Sequence, residues 1–478
     1  MPVLRLILWK LLLFISIEGK SPVLLYIMEE GNFLNRLKMI FYNINNNATE
    51  RSMLLSLLCK PLSMVVSFIY TPILLHYLGE EAYGIWATIL SIVNWINYFD
   101  VGIANGVRNL LTVHIERQEK EEVSKDVSTA YIALFFISAI TFLIGSLIIL
   151  NMDLHSFFKT EMDVKATFEV SFFFICINFI LSLSRIILYA THQAEKVSYM
   201  TLLTQLINLC GILLFAFCGS GNILYVAILV GMSGMTVNLF YYGRLCGKNN
   251  FLFPHFRMFS RERLRSICNV GVKFFLIQIS VMILYSTDSV IITRLFGPAN
   301  VTPYQTAFSA FGIVNGLYAA AVTPLWAKYA AEKERNNYSG IKKIVRTQEK
   351  FMLIVGIILL IEGVCYKPAS VIWLQKELNY DPGLIIMMAV YNFCYIWSNI
   401  YAIACNGMER IHLQLYLAII GAVINIPLSF YLGGRLHMRS TGVMLATVIC
   451  MLMIAIPMAV DTHRYLNKMC RLKEEGLK

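Results

Sequence analysis

The stretch from Pro61 to Arg108 constrains the fold more than any other part of the sequence. Pro61 to Gly79 is 19 residues without a formal charge, and Ala82 to Phe99 is another 18. A membrane-spanning helix needs about 20 mostly apolar residues, because each residue adds about 1.5 Å to a path of about 30 Å. Gly79-Glu80-Glu81 joins the two runs. The stretch therefore predicts an antiparallel hairpin of two membrane helices.

The bulk composition agrees with a chain made mostly of such helices. Of 478 residues, 58% are hydrophobic and 14% charged, with a mean hydropathy of +0.64. Soluble domains carry about 25% charged residues. A net charge of +11 would suggest a nucleic-acid partner in a soluble protein, but no basic cluster is interleaved with stacking aromatic residues. We therefore expect an all-α polytopic membrane protein with no nucleic-acid partner.

Cysteine and histidine usage gives no sign of a metal site or a disulfide framework. The 11 cysteines form no CxxC pair and mostly lie in apolar runs, where a free cysteine behaves as a small hydrophobic residue. The eight histidines are dispersed and lack the spacing typical of a zinc site. We expect no cofactor, apart from a coupling ion, either a proton or sodium, that the sequence does not specify.

Apolar runs from residue 52 onwards predict about twelve spans. Their predicted ranges are 52–78, 82–106, 128–150, 166–190, 197–218, 222–243, 266–296, 299–327, 350–366, 382–405, 411–432 and 441–461. An even number of spans places both termini on the same side of the membrane.

The first 51 residues are predicted to lie outside the membrane fold. Residues 1–27 hold a short apolar stretch interrupted by Arg5 and Lys10, and an ordinary start at Met28 follows, so we interpret them as the product of an upstream start codon. Residues 29–50 form a polar, Asn-rich segment that we expect to be an amphipathic entry at the membrane surface. Residues 465–478 are expected to be a cytoplasmic tail.

Basic residues divide very unevenly between the two sides of this predicted topology. The loops and helix ends on the side of the amino terminus hold 28 lysines and arginines, whereas those on the other side hold six. Cytoplasmic loops carry the excess of Lys and Arg in membrane proteins. The asymmetry predicts that both termini face the cytoplasm.

The two halves of the chain resemble each other. Glu195-Lys196 follows the fourth span and Glu409-Arg410 follows the tenth, a constant offset of 214 residues. The sequence thus predicts two six-helix bundles, residues 52–246 and 266–464, joined by a basic cytoplasmic linker, residues 247–265. Parallel repeats of this kind are related by an axis along the membrane normal and enclose a central cavity.

Several charged residues fall inside the predicted spans, where a charge is costly and so marks a functional candidate. Lys60 and Lys273 lie about two turns inside the cytoplasmic ends of spans one and seven, and Asp100 lies at a similar depth in span two. Asp288 and Arg294 lie near the outer end of span seven, six residues apart, and so do not share a helix face.

Structural roles for these charges stay open. Arg185, Glu169 and Arg294 could extend to the lipid headgroups, and Asp100 could pair with Lys60 as a packing device. Prolines such as Pro61 and Pro72 are tolerated kinks in membrane helices. They would suit a protein that bends between two states, but they are also simply common in such helices.

The first hairpin, with the sequence YTPILLHYLGEEAYGIWATILSIVNWINYFDVGIANGVRN, resembles the bacterial polysaccharide-transport family of oligosaccharide flippases. The matching features are LG at the end of helix one, a Tyr-Gly pair opening helix two, and Asp-x-Gly followed by basic Arg108. Gln-Ala-Glu-Lys at the end of helix four also matches. The resemblance covers about residues 52–465. The lipid II flippase of the same superfamily has helices thirteen and fourteen, and this chain shows neither. The difference argues against peptidoglycan precursors as substrate.

The resemblance implies translocation of undecaprenyl-pyrophosphate-linked oligosaccharide repeat units, of O-antigen or capsule type, across the inner membrane by alternating access. A polysaccharide polymerase and chain-length machinery are the protein partners it implies, besides membrane lipid. A wet cationic cavity suits a pyrophosphate, and Lys60, Lys273 and Arg294 could supply the charge. Asp100 and Asp288 could tune these bases or take up a coupling cation, and Arg108 joins the set of candidate cavity residues.

Two other classes of function remain open. A cation-coupled multidrug or small-molecule antiporter of the same superfamily would favour an acid-lined cavity, whereas this chain offers bases and acids together. A membrane glycosyltransferase or polymerase would need catalytic acids or an Arg-rich site on a sizeable outer loop. The longest outer loops, about residues 151–165 and 367–381, are short and hold no such set. We therefore expect a transporter and not an enzyme.

Overall fold

The computed structural model describes residues 48–98, 103–191, 193–219, 221–322 and 325–475. The predictions for residues 1–27, for most of the entry segment and for Asp100 lie outside these residues. Within the described parts of the chain the protein is all-α, with no strand.

The α-helices follow one another along the chain as listed here: α1 Ala48–Leu78, α2 Glu80–Val93, α3 Ile103–Glu116, α4 Lys120–Asn151, α5 Leu154–Phe158, α6 Lys165–Leu181, α7 Leu183–Ala190, α8 Ala194–Cys218, α9 Ile223–Lys248, α10 Arg261–Ser286, α11 Asp288–Phe296, α12 Val301–Val322, α13 Leu325–Glu334, α14 Tyr338–Leu374, α15 Leu384–Gly407, α16 His412–Ser429 and α17 Arg439–Glu474. Short 3₁₀ turns lie at Asn94–Tyr98, Asn250–Leu252, Phe256–Met258 and Pro298–Asn300, and a π-helix at Phe430–Arg435 follows α16.

The chain is a multi-pass membrane protein, as predicted. Ten helical stretches in the described residues are long and apolar enough to cross a bilayer. The predicted count of twelve is therefore approximate. The second predicted span is divided into α2, the turn at Asn94–Tyr98 and α3, and the eighth is divided into α12 and α13. Both carry polar residues in their interior, such as Asn94, Gln305 and Asn315, which lower their hydropathy.

Two helices extend well beyond their predicted spans. The ninth span was predicted at 350–366, but α14 covers Tyr338–Leu374, and the twelfth was predicted at 441–461, but α17 covers Arg439–Glu474. Charged residues end an apolar run without ending a helix, because Lys, Arg and Glu are good helix formers. The sequence pattern located the membrane portion and missed the solvated extensions.

Two tight turns separate neighbouring helices, and the sequence analysis predicted the first of them. Gly79 separates α1 from α2 with a φ of +80°, a left-handed conformation that glycine adopts without steric cost. Gly219 ends α8 with the same φ, and the side chain of Asn222 accepts a hydrogen bond from the backbone of Leu224 to cap α9.

Buried apolar side chains form two clusters, each mainly from one half of the chain. One cluster comes mainly from residues 74–267 and the other from residues 284–469. The exceptions show where the halves meet: Ala87 of α2 belongs to the C-terminal cluster, and Leu374 and Leu378 belong to the N-terminal one. The bundle boundaries themselves stay predictions.

The loops predicted to lie outside come together on one face. Lys376 pairs with Glu80 at 2.8 Å, and Thr160 donates a hydrogen bond to Glu81 at 2.5 Å. Arg439 donates to Asn300 at 2.8 Å. We call this the basic-poor face, formed by the loops around residues 79–81, 151–165, 219–222, 297–300, 375–383 and 435–440.

The opposite, basic face carries the linker between the halves. Arg263 at the start of α10 is hydrogen-bonded to Glu122 of α4, and the backbone of Ser260 donates to Thr129 at 3.1 Å. His114 bonds to the fully buried Asp126 at 2.6 Å beside them. The linker is thus held to the N-terminal half by polar contacts. Which face is cytoplasmic remains the prediction made from the basic residues.

Candidate functional site

Two adjacent cavities lie where the halves meet. The first, of about 530 Å³, is lined by Lys60 and is called the lysine cavity; the second, of about 360 Å³, is lined by Asp288 and is called the aspartate cavity. They share four lining residues, which we call the waist: Ser67, Thr71, Gln305 and Phe308. Two of these come from α1 and two from α12, so the waist joins the two halves of the chain.

A polar stripe on α1 builds one wall of the lysine cavity. Lys60, Ser63, Ser67 and Thr71 are spaced three or four residues apart, which places them on one face of a helix. Ser198, Thr201 and Gln205 repeat this spacing on α8, as do Gln305, Ser309 and Gly312 on α12. These stripes could have been found in the sequence, because polar residues at helical spacing within an apolar span indicate a wet face.

The lining of the lysine cavity is rich in hydroxyl, amide and aromatic groups. Lys60 is exposed and is the one charged residue among its described lining residues. Four aromatic rings complete the wall, Phe68, Tyr189, Phe308 and Trp373. The Oε1 atom of Gln205 is buried and has no hydrogen-bond partner within the described residues. A ligand with hydroxyl groups and a negative charge would complement this surface.

Two arginines lie beside Tyr189, which lines the lysine cavity. The guanidinium of Arg108 lies 5.0 Å from the centre of the Tyr189 ring, a cation–π contact. Arg185 lies one turn before Tyr189 on α7 and donates to the side chain of Asn238 at 3.3 Å. Among the described residues no carboxylate pairs with Arg185. It therefore contacts a neighbouring helix of its own half, α9.

Asp288 sits at the start of α11 in the aspartate cavity and is 3% exposed. Its carboxylate accepts hydrogen bonds from Tyr304 at 2.9 Å and from Thr447 at 3.0 and 3.1 Å. Within the described residues it has no basic partner. A buried carboxylate without a counter-charge is costly, so a bound cation or a proton would relieve it.

Two further polar side chains lie on α16, and the first of them is linked to Asp288 through Thr447. Asn425 donates to Thr447 at 3.1 Å, while its own Oδ1 atom is buried without a partner in the described chain. The hydroxyl of Ser429, one turn further on, is buried and likewise unpartnered there. The hydrogen-bonded group of Asp288, Tyr304, Thr447 and Asn425 thus joins four helices, α11, α12, α17 and α16. Sequence reasoning selected Asp288 but could not supply partners that lie up to 159 residues away.

The remaining predicted residues are placed differently. Arg294 is exposed on the basic-poor face, donates to the carbonyl of Ser156 at 2.8 Å, and lines neither cavity. Its burial differs from that of Asp288, as their spacing predicted. Lys273 belongs to α10, but its side chain is not among those described, and Asp100 lies outside the described residues. The structure thus places Lys60 on the wall of the lysine cavity, Arg108 beside Tyr189 of the same cavity, and Asp288 in the aspartate cavity.

Comparison with known proteins begins with a family match. The family of polysaccharide biosynthesis proteins matches residues 50–330, more than half of the chain. A Salmonella typhimurium protein named for O-antigen transport is 22% identical over 386 residues, covering 79% of this chain and 87% of the relative. A Yersinia pseudotuberculosis protein named for O-antigen export is 22% identical over 363 residues, covering 73% and 81%. These matches confirm the resemblance seen in the first hairpin.

Solved structures with a similar fold are transporters of multidrug type. An inward-facing conformation of a multidrug resistance MATE family transporter of the MOP superfamily superposes with a TM-score of 0.71 at 15% identity, covering 85% of this chain and 96% of that one. An outward-facing conformation superposes with a TM-score of 0.59, also at 15% identity, covering 89% and 98%. At this identity the likeness concerns the fold.

Proposed function

The chain belongs to the family of polysaccharide biosynthesis proteins, and from that premise we propose that it is a flippase for a lipid-linked oligosaccharide. The oligosaccharide and its pyrophosphate pass through the cavity between the halves, and the undecaprenyl tail stays in the bilayer beside them. The two halves alternate between openings on the two faces, with the basic face in the cytoplasm. The cell membrane, the inner one in a bacterium with two, is the compartment that such a substrate requires.

The observation that carries this proposal is the lining of the lysine cavity. Sugars present many hydroxyl groups, each able to donate and accept hydrogen bonds, and the serines, threonines and glutamines of α1, α8 and α12 match them. Aromatic faces such as those of Tyr189 and Trp373 offer apolar surface without losing this polar character. Hydroxyl and amide groups can bond many different sugars, and this suits a carrier of glycans that does not recognise one particular sugar substituent.

The positive end of the cavity suits the pyrophosphate. Lys60 lines it directly, and Arg108 and Arg185 flank its Tyr189. Phosphate oxygens accept charge-assisted hydrogen bonds, which are about twice as strong as neutral ones. These bases lie towards the basic face, where a lipid-linked substrate made in the cytoplasmic leaflet would first present its phosphates. Lys273 remains a candidate for the same end on sequence grounds.

The oxygen set around Asp288 is proposed as the site of a coupling cation. Hard cations prefer oxygen ligands, and the buried carboxylate is linked through Thr447 to Asn425, whose Oδ1 atom is buried without a partner in the described chain. A proton would need the carboxylate alone, so the additional oxygens favour sodium. Sodium acts here as a transported ion that drives the cycle. The hydrogen bond from Asn425 to Thr447 and on to Asp288 connects α16 and α17 to α11, so ion release can alter helix packing.

A multidrug antiporter of the same fold is the second candidate. It would carry organic cations and would need an acidic wall, because opposite charges complement each other across a binding surface. No carboxylate lines the lysine cavity among its described residues. Asp288 lies in the smaller cavity with both carboxylate oxygens already hydrogen-bonded. The chemistry of the cavity therefore favours an anionic glycolipid over an organic cation.

Binding of undecaprenyl pyrophosphate to the purified protein tests this assignment. Native mass spectrometry should show binding of undecaprenyl pyrophosphate but not of uncharged undecaprenol, and Lys60→Ala should weaken it about tenfold, because a hydrogen bond to a charged group contributes about 1.5–3 kcal/mol. Lys367→Ala is the matched control, since Lys367 is an exposed lysine of α14 that lines neither cavity. Equal binding of both lipids, or equal losses for the two variants, would remove the support for an anion site.

A further inference from the structure

A short segment of the C-terminal half is inserted into the N-terminal half on the basic-poor face. The segment Trp373–Tyr380, which we call the clasp, contains the end of α14 and the loop after it. Leu374 is fully buried and Leu378 is 5% exposed, and both belong to the N-terminal hydrophobic cluster. Trp373 and Tyr380 pack against that cluster as well. The clasp therefore contributes to the core of the half to which it does not belong.

Two polar contacts hold the first half of the clasp to the N-terminal half of the chain. His76 of α1 donates through Nε2 to the carbonyl of Leu374 at 2.8 Å. Lys376 pairs with Glu80 at the start of α2, also at 2.8 Å. Both α1 and α2 belong to the first hairpin, so the clasp fixes the C-terminal half to the turn between these helices.

A proline in α1 creates the attachment point for Trp373. Pro72 has no amide hydrogen, so the carbonyl of Phe68, four residues earlier, lacks its helical hydrogen bond. An unpaired carbonyl is costly in the membrane, where water is scarce. The indole Nε1 of Trp373 donates to this carbonyl at 2.9 Å. The Trp373 and Phe68 rings also stack, with centroids 4.1 Å apart and planes 3° apart.

We propose that Trp373 is a positioning residue through which cargo bound in the lysine cavity controls whether the clasp keeps the basic-poor face closed. This inference rests on the proposed function, since it assigns a gate to the same cavity. Trp373 and Phe68 both line that cavity. A hydroxyl group of the cargo can therefore replace the indole as the donor to the Phe68 carbonyl. The clasp is then held only by its other contacts, and the halves separate on this face.

Thiol labelling measures the seal without any glycan. Ser67→Cys, in a chain whose other cysteines are replaced, places the reporter at the waist, where Ser67 is exposed and lines both cavities. A membrane-impermeant maleimide is applied from the basic-poor face. Trp373→Phe keeps the stacked ring and removes the N–H, and should speed labelling about threefold to tenfold, as loss of one hydrogen bond predicts. Trp397→Phe, the same change on α15 in the C-terminal half, should leave the rate unchanged.

Two further variants test the carbonyl and the ion pair. Pro72→Ala restores an amide hydrogen to α1, so the Phe68 carbonyl no longer depends on Trp373, and Trp373→Phe should then have a smaller effect. Lys376→Glu should speed labelling, and adding Glu80→Lys should slow it again. Purely additive effects of Pro72→Ala and Trp373→Phe would overturn the role of the carbonyl. An unchanged rate in Trp373→Phe would overturn the gate, while leaving the glycan-binding result independent of it.

Discussion

The two cavities differ in charge although they share one waist. The lysine cavity is the larger, with hydroxyl, amide and aromatic groups and a base at its wall, whereas the aspartate cavity holds a buried carboxylate among oxygen atoms. Here the described contacts of Asp288 are neutral donors, and Lys60 lies beyond the waist, so each charge stays available for a ligand of its own.

The two halves of the chain also contribute to different cavities. The lysine cavity takes much of its wall from α1 and α8 of the N-terminal half, whereas Asp288 and its oxygen neighbours come from the C-terminal half. Residues of α12 line both cavities, so a movement of α12 changes the walls of both. Under the proposed function, one cavity binds the cargo and the other the ion, and the waist couples them.

Asp288→Asn should have the largest effect on this division. It removes the negative charge but keeps a similar shape, so a sodium ion loses its counter-charge. Loss of a contact of about 3 kcal/mol corresponds to about a hundredfold. Transport by this variant should fall by about that factor and no longer respond to a sodium gradient, while binding of undecaprenyl pyrophosphate stays unchanged. A variant that loses both lipid binding and transport would show that the cavities are not separate sites.

Thr447→Val should give a smaller loss at the same cavity. Removal of this hydroxyl breaks the hydrogen bonds to Asp288 and Asn425, and a neutral hydrogen bond contributes about 1 kcal/mol, so the sodium concentration for half-maximal transport should rise about fivefold. Thr462→Val on the same helix is the control, because Thr462 is equally buried but contacts Cys405. Equal effects of the two changes would indicate general packing and not an ion site.

Arg108→Lys should have the smallest effect, confined to the lysine cavity. It keeps the charge but loses the planar guanidinium over Tyr189, a contact of about 0.5–1 kcal/mol at an exposed site. Affinity for undecaprenyl pyrophosphate should fall about twofold to fivefold in the native mass spectrometry assay, with no change in sodium dependence. Full affinity in Arg108→Ala would remove this residue from the anion end.

The sequence predicted the helical membrane fold because apolar runs and glycine turns are local signals. The breaks at Asn94–Tyr98 and at Thr287 were missed, because a polar residue inside an apolar run predicts a wet face as readily as an interrupted helix. The polar extensions of α14 and α17 were missed because hydropathy marks the apolar part of a helix and does not show where the helix ends.

The candidate site was predictable only in part. A charge inside a span is visible in the sequence, so Lys60 and Asp288, which line the two cavities, were found as candidates. The residues around them were not found, because Tyr189, Asn425 and Thr447 lie on helices that are distant in the sequence. Arg294 was selected by the same rule but lies on the surface. Depth along a helix does not tell which side of the helix faces the cavity.

Reconstitution into liposomes tests the central claim most directly. The purified protein is inserted with a fluorescent undecaprenyl-pyrophosphate oligosaccharide, and exposure of the glycan on the far side is followed with and without a sodium gradient. The account predicts translocation that accelerates with the gradient, falls about tenfold in Lys60→Ala and is kept in Lys367→Ala. Absence of glycan translocation, together with sodium-driven movement of an organic cation by the same vesicles, would contradict it.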